Sequence, residues 1–300
     1  MKFDCVCFGA LNVDKLYRVN RIAREDEHSF ITDIVEAPGG SAANTAVGLA
    51  RLGLRVGYIG KVAEDKEGNF LLKDFKKENV DTKGVIVSKT GISGIVFGYI
   101  DEKGDRALYV APGVNDSLAF DEISLDYACN TEFLHLTSFV GEKPFLAQKK
   151  LLKAASNVKI SFDPGELYAR KGLAFVKPFL ERCHFLSPNE NELKLLTGKG
   201  YREGSKVLLN VGASIVAVKL GRRGCYVTDG KESHLIAPPD VERVDTTGAG
   251  DAFCAGFLYG LIKGKDLYEC GRLGNFVASR CITKIGARKG LPKLSDLQEM

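Results

Sequence analysis

The segment Asp245-Thr246-Thr247-Gly248-Ala249-Gly250-Asp251 places small residues between two carboxylates and runs straight into the apolar stretch Ala252-Phe253-Cys254-Ala255-Gly256-Phe257. Small side chains at Gly248, Ala249 and Gly250 let the backbone approach a ligand closely. The unpaired amides and positive dipole end of a helix starting there make an anion site. Asp251 at such a helix start is also an ordinary N-terminal residue. A carboxylate beside an anion hole nevertheless suits phosphoryl transfer, in which the amides steady charge on the phosphoryl oxygens while Asp251 takes the proton of an attacking hydroxyl.

Three further groupings carry possible chemistry. Gly39-Gly40, followed by Ser41-Ala42-Ala43-Asn44-Thr45, reads either as a tight turn with a Ser cap or as backbone against which a small polyol lies, with Asn44 and Asp14 binding its hydroxyls. Asn189-Glu190-Asn191-Glu192 reads equally as the acidic first turn of a helix or as the group that places Mg2+-bound water and phosphate oxygens. Lys219, at a strand end before Gly221 and Gly224, can meet phosphates as a point charge or be a solvated lysine.

These residues must be positioned by an α/β framework. Short Val/Ile/Phe-rich runs at 56–61, 133–137, 159–162, 184–186, 215–220 and 224–228 alternate with amphipathic stretches at 42–52, 67–79, 143–155, 249–263 and 266–283. The pattern predicts a doubly wound, mostly parallel sheet flanked by helices, with ligands outside the carboxyl ends of its strands. Asp14, Asp163, Asn189, Gly221 and the 245–251 segment all follow predicted strands. Residues 13–36 and 90–110 break the alternation and read as antiparallel hairpins, the second turning at Asp101-Glu102-Lys103-Gly104. The expected division is a core of 1–12, 37–89 and 111–300 with a small β lid made of 13–36 and 90–110. An uncovered two-faced sheet either closes over a ligand or pairs with another subunit, so a homodimer through the lid is expected.

The totals narrow the classes. At 45% hydrophobic and 27% charged residues the chain is ordinary globular protein, and a net charge of +4 on 300 residues is far short of a nucleic-acid footprint. No apolar run approaches the ~20 residues of a membrane span, and the start Met1-Lys2-Phe3 has no secretory pattern, so the expected location is the cytoplasm. The eight cysteines lack CxxC spacing and read as reduced thiols; the four histidines are isolated and do not form a metal site. A nicotinamide dehydrogenase would need GxGxxG after the first strand, where Gly9-Ala10-Leu11-Asn12 stands, and no segment supplies GxxxxGK followed by Ser or Thr.

Taken together the motifs resemble the ribokinase-like, or PfkB, family of sugar and nucleoside kinases over essentially the whole chain. Gly39 to Asn44 is similar to its N-terminal signature, Asp245 to Asp251 to its C-terminal one, Asn189 and Glu192 to its NxxE motif, and Lys219 to Gly224 to its phosphate-facing strand and turn. The resemblance implies a nucleotide donor, ATP by preference, and a sugar or nucleoside acceptor. Asp251 would be the base, Gly248 to Gly250 the anion hole, and Asp14, Gly39, Gly40 and Asn44 the acceptor contacts. Asn189, Lys219, Gly221 and Gly224 would bind the nucleotide phosphates, Asn275 would lie near adenine, and Glu192 would hold Mg2+ through water. It further implies a monovalent-cation site, suited to K+, on Asp245, Thr247, Cys281, Lys284 and Gly286. Gly290 stands where ribokinase-type sequences commonly have Ser.

A second departure concerns the acceptor. Where ribokinase-type sequences place Glu, this chain reads Thr137-Ser138-Phe139, which disfavours free ribose; Ser161-Phe162-Asp163-Pro164-Gly165 resembles archaeal members that include nucleoside and ribose-phosphate kinases. Arg106 on the hairpin could serve a phosphorylated acceptor, or be a solvated charge. The alternatives are a fructose or hexose kinase of the same family and a non-catalytic sugar- or nucleotide-binding regulator.

Overall fold

A computed structural model describes residues 2–103 and 105–299, with the side chains of Arg106 and Glu299 outside the described set. The strands are β1 Phe3–Phe8, β2 Asn12–Val19, β3 Ile31–Gly39, β4 Val56–Ala63, β5 Val80–Ser88, β6 Gly94–Ile100, β7 Arg106–Ala111, β8 Thr131–Thr137, β9 Lys159–Asp163, β10 Cys183–Leu186, β11 Ile215–Lys219, β12 Cys225–Thr228 and β13 Ser233–Ile236.

Nine of them form one sheet in the order β13-β12-β11-β10-β9-β8-β1-β4-β5. It is parallel from β5 to β11, and antiparallel where β12 and β13 fold back on β11. Parallel strands buried on both faces read as continuous apolar runs, and β4 is buried at all eight positions. Two apolar clusters lie on opposite faces. One joins alternate residues Cys5, Cys7, Phe133, Phe185 and Ala217 to the helices Ser41–Arg51, Ala249–Ile262 and Leu267–Cys281. The other joins Val6, Phe8, Leu134, Leu136, Phe162 and Leu186 to helices that include Glu142–Ala154, Leu173–Leu180 and Tyr201–Val211. The architecture is therefore the doubly wound one that the sequence pattern predicts.

Helix Ala249–Ile262 is apolar nearly all round because it is enclosed on several sides. Phe257 stacks on Phe185 of β10 with ring centroids 4.2 Å apart, a contact worth about 0.5–1.5 kcal/mol beyond its buried area. On its other side, a Cβ at Gly256 would come within 2.4 Å of the Leu273 carbonyl, so only glycine lets Leu267–Cys281 pack this close. Rigid burial of this helix fixes the direction of its N-terminus, where the Asp251 segment lies.

Strands β3-β2-β6-β7 form a second sheet. The expected hairpins are present as β2/β3 and β6/β7, but they are joined by a parallel pair, β2 with β6, a connection the sequence did not reveal. Its strands run over 12–39 and 94–111, against the expected 13–36 and 90–110: the first is longer because β3 continues through Pro38 to the Gly39 turn, and the second starts later, at Gly94. Edge strands β5 and β13 lie outside the expected runs: Asp81, Lys83 and Gly84 break the apolar pattern of β5, and β13 is only four residues long. All eight cysteines are free thiols. Among the described residues no helix is long and apolar enough to cross a membrane, and no cluster of three or more His, Cys, Asp or Glu could hold a metal directly.

Candidate active site

Asp163 is the last residue of β9 and Lys219 the last of β11, so both side chains emerge at the carboxyl ends of parallel strands that flank β10. Lys219 Nζ donates to Asp163 Oδ2 at 2.6 Å in a nearly buried ion pair. Burial alone would lower the lysine's proton affinity, but Asp163, the Cys254 thiol and Glu192 outweigh it and hold the ammonium charged. The pair lines a cavity of about 820 Å3 that also takes in Asn189, Glu192, Ala249, Gly250 and Asp251. Gly221, Gly224 and Asn275 border the same space.

Gly248 adopts φ +78, a left-handed conformation that glycine favours, and caps the helix Ala249–Ile262 without a side-chain bond. Ala249 N bonds back to Thr246 O (3.2 Å) and Ala252 N to Gly248 O (2.9 Å). Among the described residues no backbone acceptor reaches the amides of Gly250 and Asp251 between them, which leaves two donors at a helix N-terminus beside the Lys219 ammonium.

Asp251 lies in the first helical turn at the cavity wall. Its carboxyl is pushed up to about 7, chiefly by burial and further by Asp163, against the opposing effects of Asn44, Lys219 and Ser41. Asn44, 207 positions away in sequence, donates through Nδ2 to Asp251 Oδ2 at 2.8 Å, and Thr45 Oγ1 donates to the Asp251 carbonyl at 3.2 Å. The two glycine-rich segments thus meet at one carboxylate. Gly40 has φ +102, and a Cβ there would reach 2.2 Å from the Ala10 carbonyl. Ser41 is the first helical residue and makes no cap; the turn is set by Gly40 instead.

Asp14 sits on β2 beside this turn, close enough that a Cβ at Gly39 would touch its carboxylate. No hydrogen-bond donor reaches that carboxylate among the described residues. Burial raises it to about 6, with Arg288 acting in the opposite sense.

Asn189 and Glu192 form a reciprocal capping box: Asn189 N donates to Glu192 Oε2 (2.8 Å) and Glu192 N to Asn189 Oδ1 (2.8 Å), with a third bond between the side chains at 2.7 Å. The helical reading of this motif is therefore realised, while the carboxylate still faces the cavity and keeps lone pairs for water. Burial, then Asp163, raises Glu192 to about 7. Asn275 donates to the Ile236 carbonyl at 2.9 Å next to Gly224, whose φ is +81.

Of the residues expected to hold a monovalent cation, Asp245 Oδ1 accepts from Thr247 N and Oγ1 (2.9 and 2.7 Å), and Oδ2 accepts from Gly286 N (2.8 Å). Cys281 Sγ approaches the Thr247 carbonyl at 3.8 Å. A Cβ at Gly290 would press within 2.3 Å of the Cys281 carbonyl, which explains glycine at that place. The side chain of Arg106 lies outside the described residues. Arg288, buried under the Gly39-Gly40 turn, carries little sequence signal beyond a charged residue inside Gly286-Ala287-Arg288-Lys289-Gly290.

An uncharacterized sugar kinase of Archaeoglobus fulgidus is 47% identical over 83% of this chain and all of its own length. An ATP-dependent ribose-1-phosphate kinase of Halopiger xanaduensis is 32% identical over 93% of this chain and 92% of its own. The fold is shared with the ribokinase of Thermotoga maritima (TM-score 0.89, 24% identity, 99% of this chain and 98% of that one) and a nucleoside kinase of Methanocaldococcus jannaschii (TM-score 0.86, 23% identity, the same coverage). The profile of the pfkB family carbohydrate kinases matches residues 2–294, and the chain belongs to that family of phosphotransferases with an alcohol group as acceptor.

Proposed function

We propose that the protein transfers the terminal phosphoryl group of ATP to a hydroxymethyl group of a ribosyl compound, a nucleoside or a ribose phosphate, with Asp251 as the base. The observation that carries the reading is the Asn44–Asp251 contact at 2.8 Å, which joins the acceptor turn to the helix N-terminus. A carboxylate with a proton affinity near neutrality can take a hydroxyl proton at working pH, while the Gly250 and Asp251 amides and Lys219 face the phosphoryl oxygens. Thr137 supports a substituted anomeric carbon: its hydroxyl is packed against Gly9, so no carboxylate meets the acceptor from β8. The 32% identical ribose-1-phosphate kinase points the same way.

A divalent ion fits the donor set. Asp163, Glu192 and Asp251 surround a single lysine, an excess of negative charge that Mg2+ held through water by Glu192 and Asn189 would balance. Such an ion neutralises charge on the transferring phosphate. K+ at the Asp245–Gly286 loop is a further expectation, with Gly290 removing one oxygen donor from it.

The second sheet has two unlike faces. Asp14, Leu16, Val96, Leu108 and Val110 share one by register, and Tyr17, Phe97, Tyr99 and Tyr109 share the other. The first would close over the acceptor as a lid. The second lines a groove of about 560 Å3 with exposed aromatic surface and would pair with a second copy.

The test is a nucleotide-consumption assay of wild type and Asp251→Asn on ribose 1-phosphate, ribonucleosides, ribose and fructose. Asp251→Asn is expected to lower kcat by ~10² to 10⁴. Retention of half the wild-type kcat would remove the base assignment, and a preference for fructose would overturn the ribosyl one.

A further inference from the structure

Arg288 is 6% exposed, and its guanidinium is tied to three separate elements. Nη1 donates to the Asp74 carboxylate in helix Lys66–Lys77, Nη2 to the Gly39 carbonyl (3.3 Å) at the end of β3, and Nε to Asn44 Oδ1 (2.8 Å) in helix Ser41–Arg51. An Nε–H can only donate, so the Asn44 amide must turn its oxygen toward Arg288. Its other end, Nδ2, is then the end that meets Asp251 Oδ2. The guanidinium also stands near enough to Asp14 for each to act on the other's charge.

We propose that Arg288 is a positioning residue for phosphoryl transfer: it locks the Asn44 amide so that Nδ2 donates to Asp251, which fixes both the carboxylate and the face Asn44 offers to the acceptor. This rests on the reading of Asp251 as the base and Asn44 as an acceptor contact. Arg288 touches neither substrate nor phosphate in this role.

Loss of Arg288 frees the amide to turn over. Asn44 Oδ1 then faces a carboxylate oxygen, an arrangement of two acceptors that is tolerated only when Asp251 is protonated. The other groups that act on Asp251 or respond to it are unchanged by the substitution, Ser41 at the start of helix Ser41–Arg51 among them. The rest are Asp163 and Lys219 at the ends of β9 and β11, Glu192 from helix Glu190–Thr197, Tyr58 from β4, Cys254 on the same helix as Asp251, and Cys281 from Leu267–Cys281. A role confined to holding residues 286–291 in place would instead lower stability without altering the titration of the base.

The experiment compares pH profiles of kcat/KM for wild type, Arg288→Met, Asn44→Ala, the double variant and Arg51→Met, with one nucleotide throughout. Arg51 anchors the same segment through the Arg288 and Leu291 carbonyls and pairs with Glu78, without touching Asn44. Arg288→Met is expected to move the acid limb up by about one pH unit, the size of one charge-assisted hydrogen bond. It should also raise acceptor KM at least about threefold and leave nucleotide KM within about twofold. In the Asn44→Ala background, Arg288→Met should add no further shift, because the group it orients is gone. Arg51→Met should lower Tm and leave the acid limb in place.

A folded Arg288→Met protein with wild-type acid limb and acceptor KM would overturn the proposal. So would a double variant whose losses simply multiply, or an equal shift in Arg51→Met. If Arg288→Met does not fold, Arg288→Lys decides: a single ammonium cannot reach Asp74, Gly39 and Asn44 together, so the same two changes are expected in smaller measure, and wild-type values for both refute the role. Asp251→Asn is run in parallel. Retention of about half the wild-type kcat in that variant refutes the base itself, whereas a strongly impaired Asp251→Asn beside an unshifted Arg288→Met refutes only Arg288.

Discussion

Replacing Gly250 by Val tests whether the helix N-terminus is where the phosphoryl group sits. Gly250 does not have a positive φ, so a side chain is not excluded by backbone conformation. Its Cβ would stand 3.3 Å from Lys219 Nζ and 3.8 and 3.9 Å from Cδ and Cε, with no backbone atom as near. A lone methyl is therefore tolerated with a shift of a few tenths of an ångström, but the two further methyls of Val must displace the ammonium from Asp163, 2.6 Å away. The consequence is double. A nearly buried ion pair is disturbed, for which complete removal of one partner would cost about 3–5 kcal/mol, and displacement alone a fraction of that. The amide at 250 is also screened from an incoming phosphate, and one such donor is worth ~10² to 10³ in rate. Gly250→Val should then remain folded, with Tm lowered by several degrees and kcat down at least ~10²-fold, while Gly250→Ala loses about tenfold or less. Steady-state turnover with a thermal melt on each variant checks this. A folded Gly250→Val protein with more than a tenth of wild-type kcat would place the transferring phosphate elsewhere.

The raised carboxyls of Asp251, Glu192 and Asp14 (about 7, 7 and 6) bind protons in the folded state that the unfolded chain does not bind. Their contribution to stability is thus fully present below about pH 4 and lost as pH rises through 6 to 7, so the ligand-free protein should gain Tm between pH 8 and 6 while kcat/KM falls. A melt series that declines across that window would contradict the burial of these groups. Glu192→Gln should raise the Mg2+ concentration for half-maximal rate roughly tenfold with acceptor KM unchanged, checked by metal titration. Light scattering should give a dimer at micromolar concentration, converted to monomer by Tyr109→Glu in the aromatic groove, with the melting temperature close to wild type.

The family and the doubly wound fold were legible in the sequence because their signals are local. A helix N-terminus needs the small residues of 248–250, and a parallel strand buried on both faces must be a continuous apolar run such as Val56–Ala63. Asp251 and Asn44 could be picked out from the small-residue segments that lead into helices, Lys219 from its place at a strand end, and Glu192 from the polar run after Leu186, where ligands meet the carboxyl ends of strands. Their partners could not. That Lys219 meets Asp163, or that Asn44 meets Asp251 across 207 residues, follows from strand order, and no spacing along the chain encodes it. The parallel pairing of β2 with β6 was hidden for the same reason, since hairpin patterns report neighbours in sequence only. Arg288 is the extreme case: flanked by glycines in an irregular segment, it reads as a solvated charge. Only the packing of two helices and a strand end around it withdraws it from water and occupies its three donors.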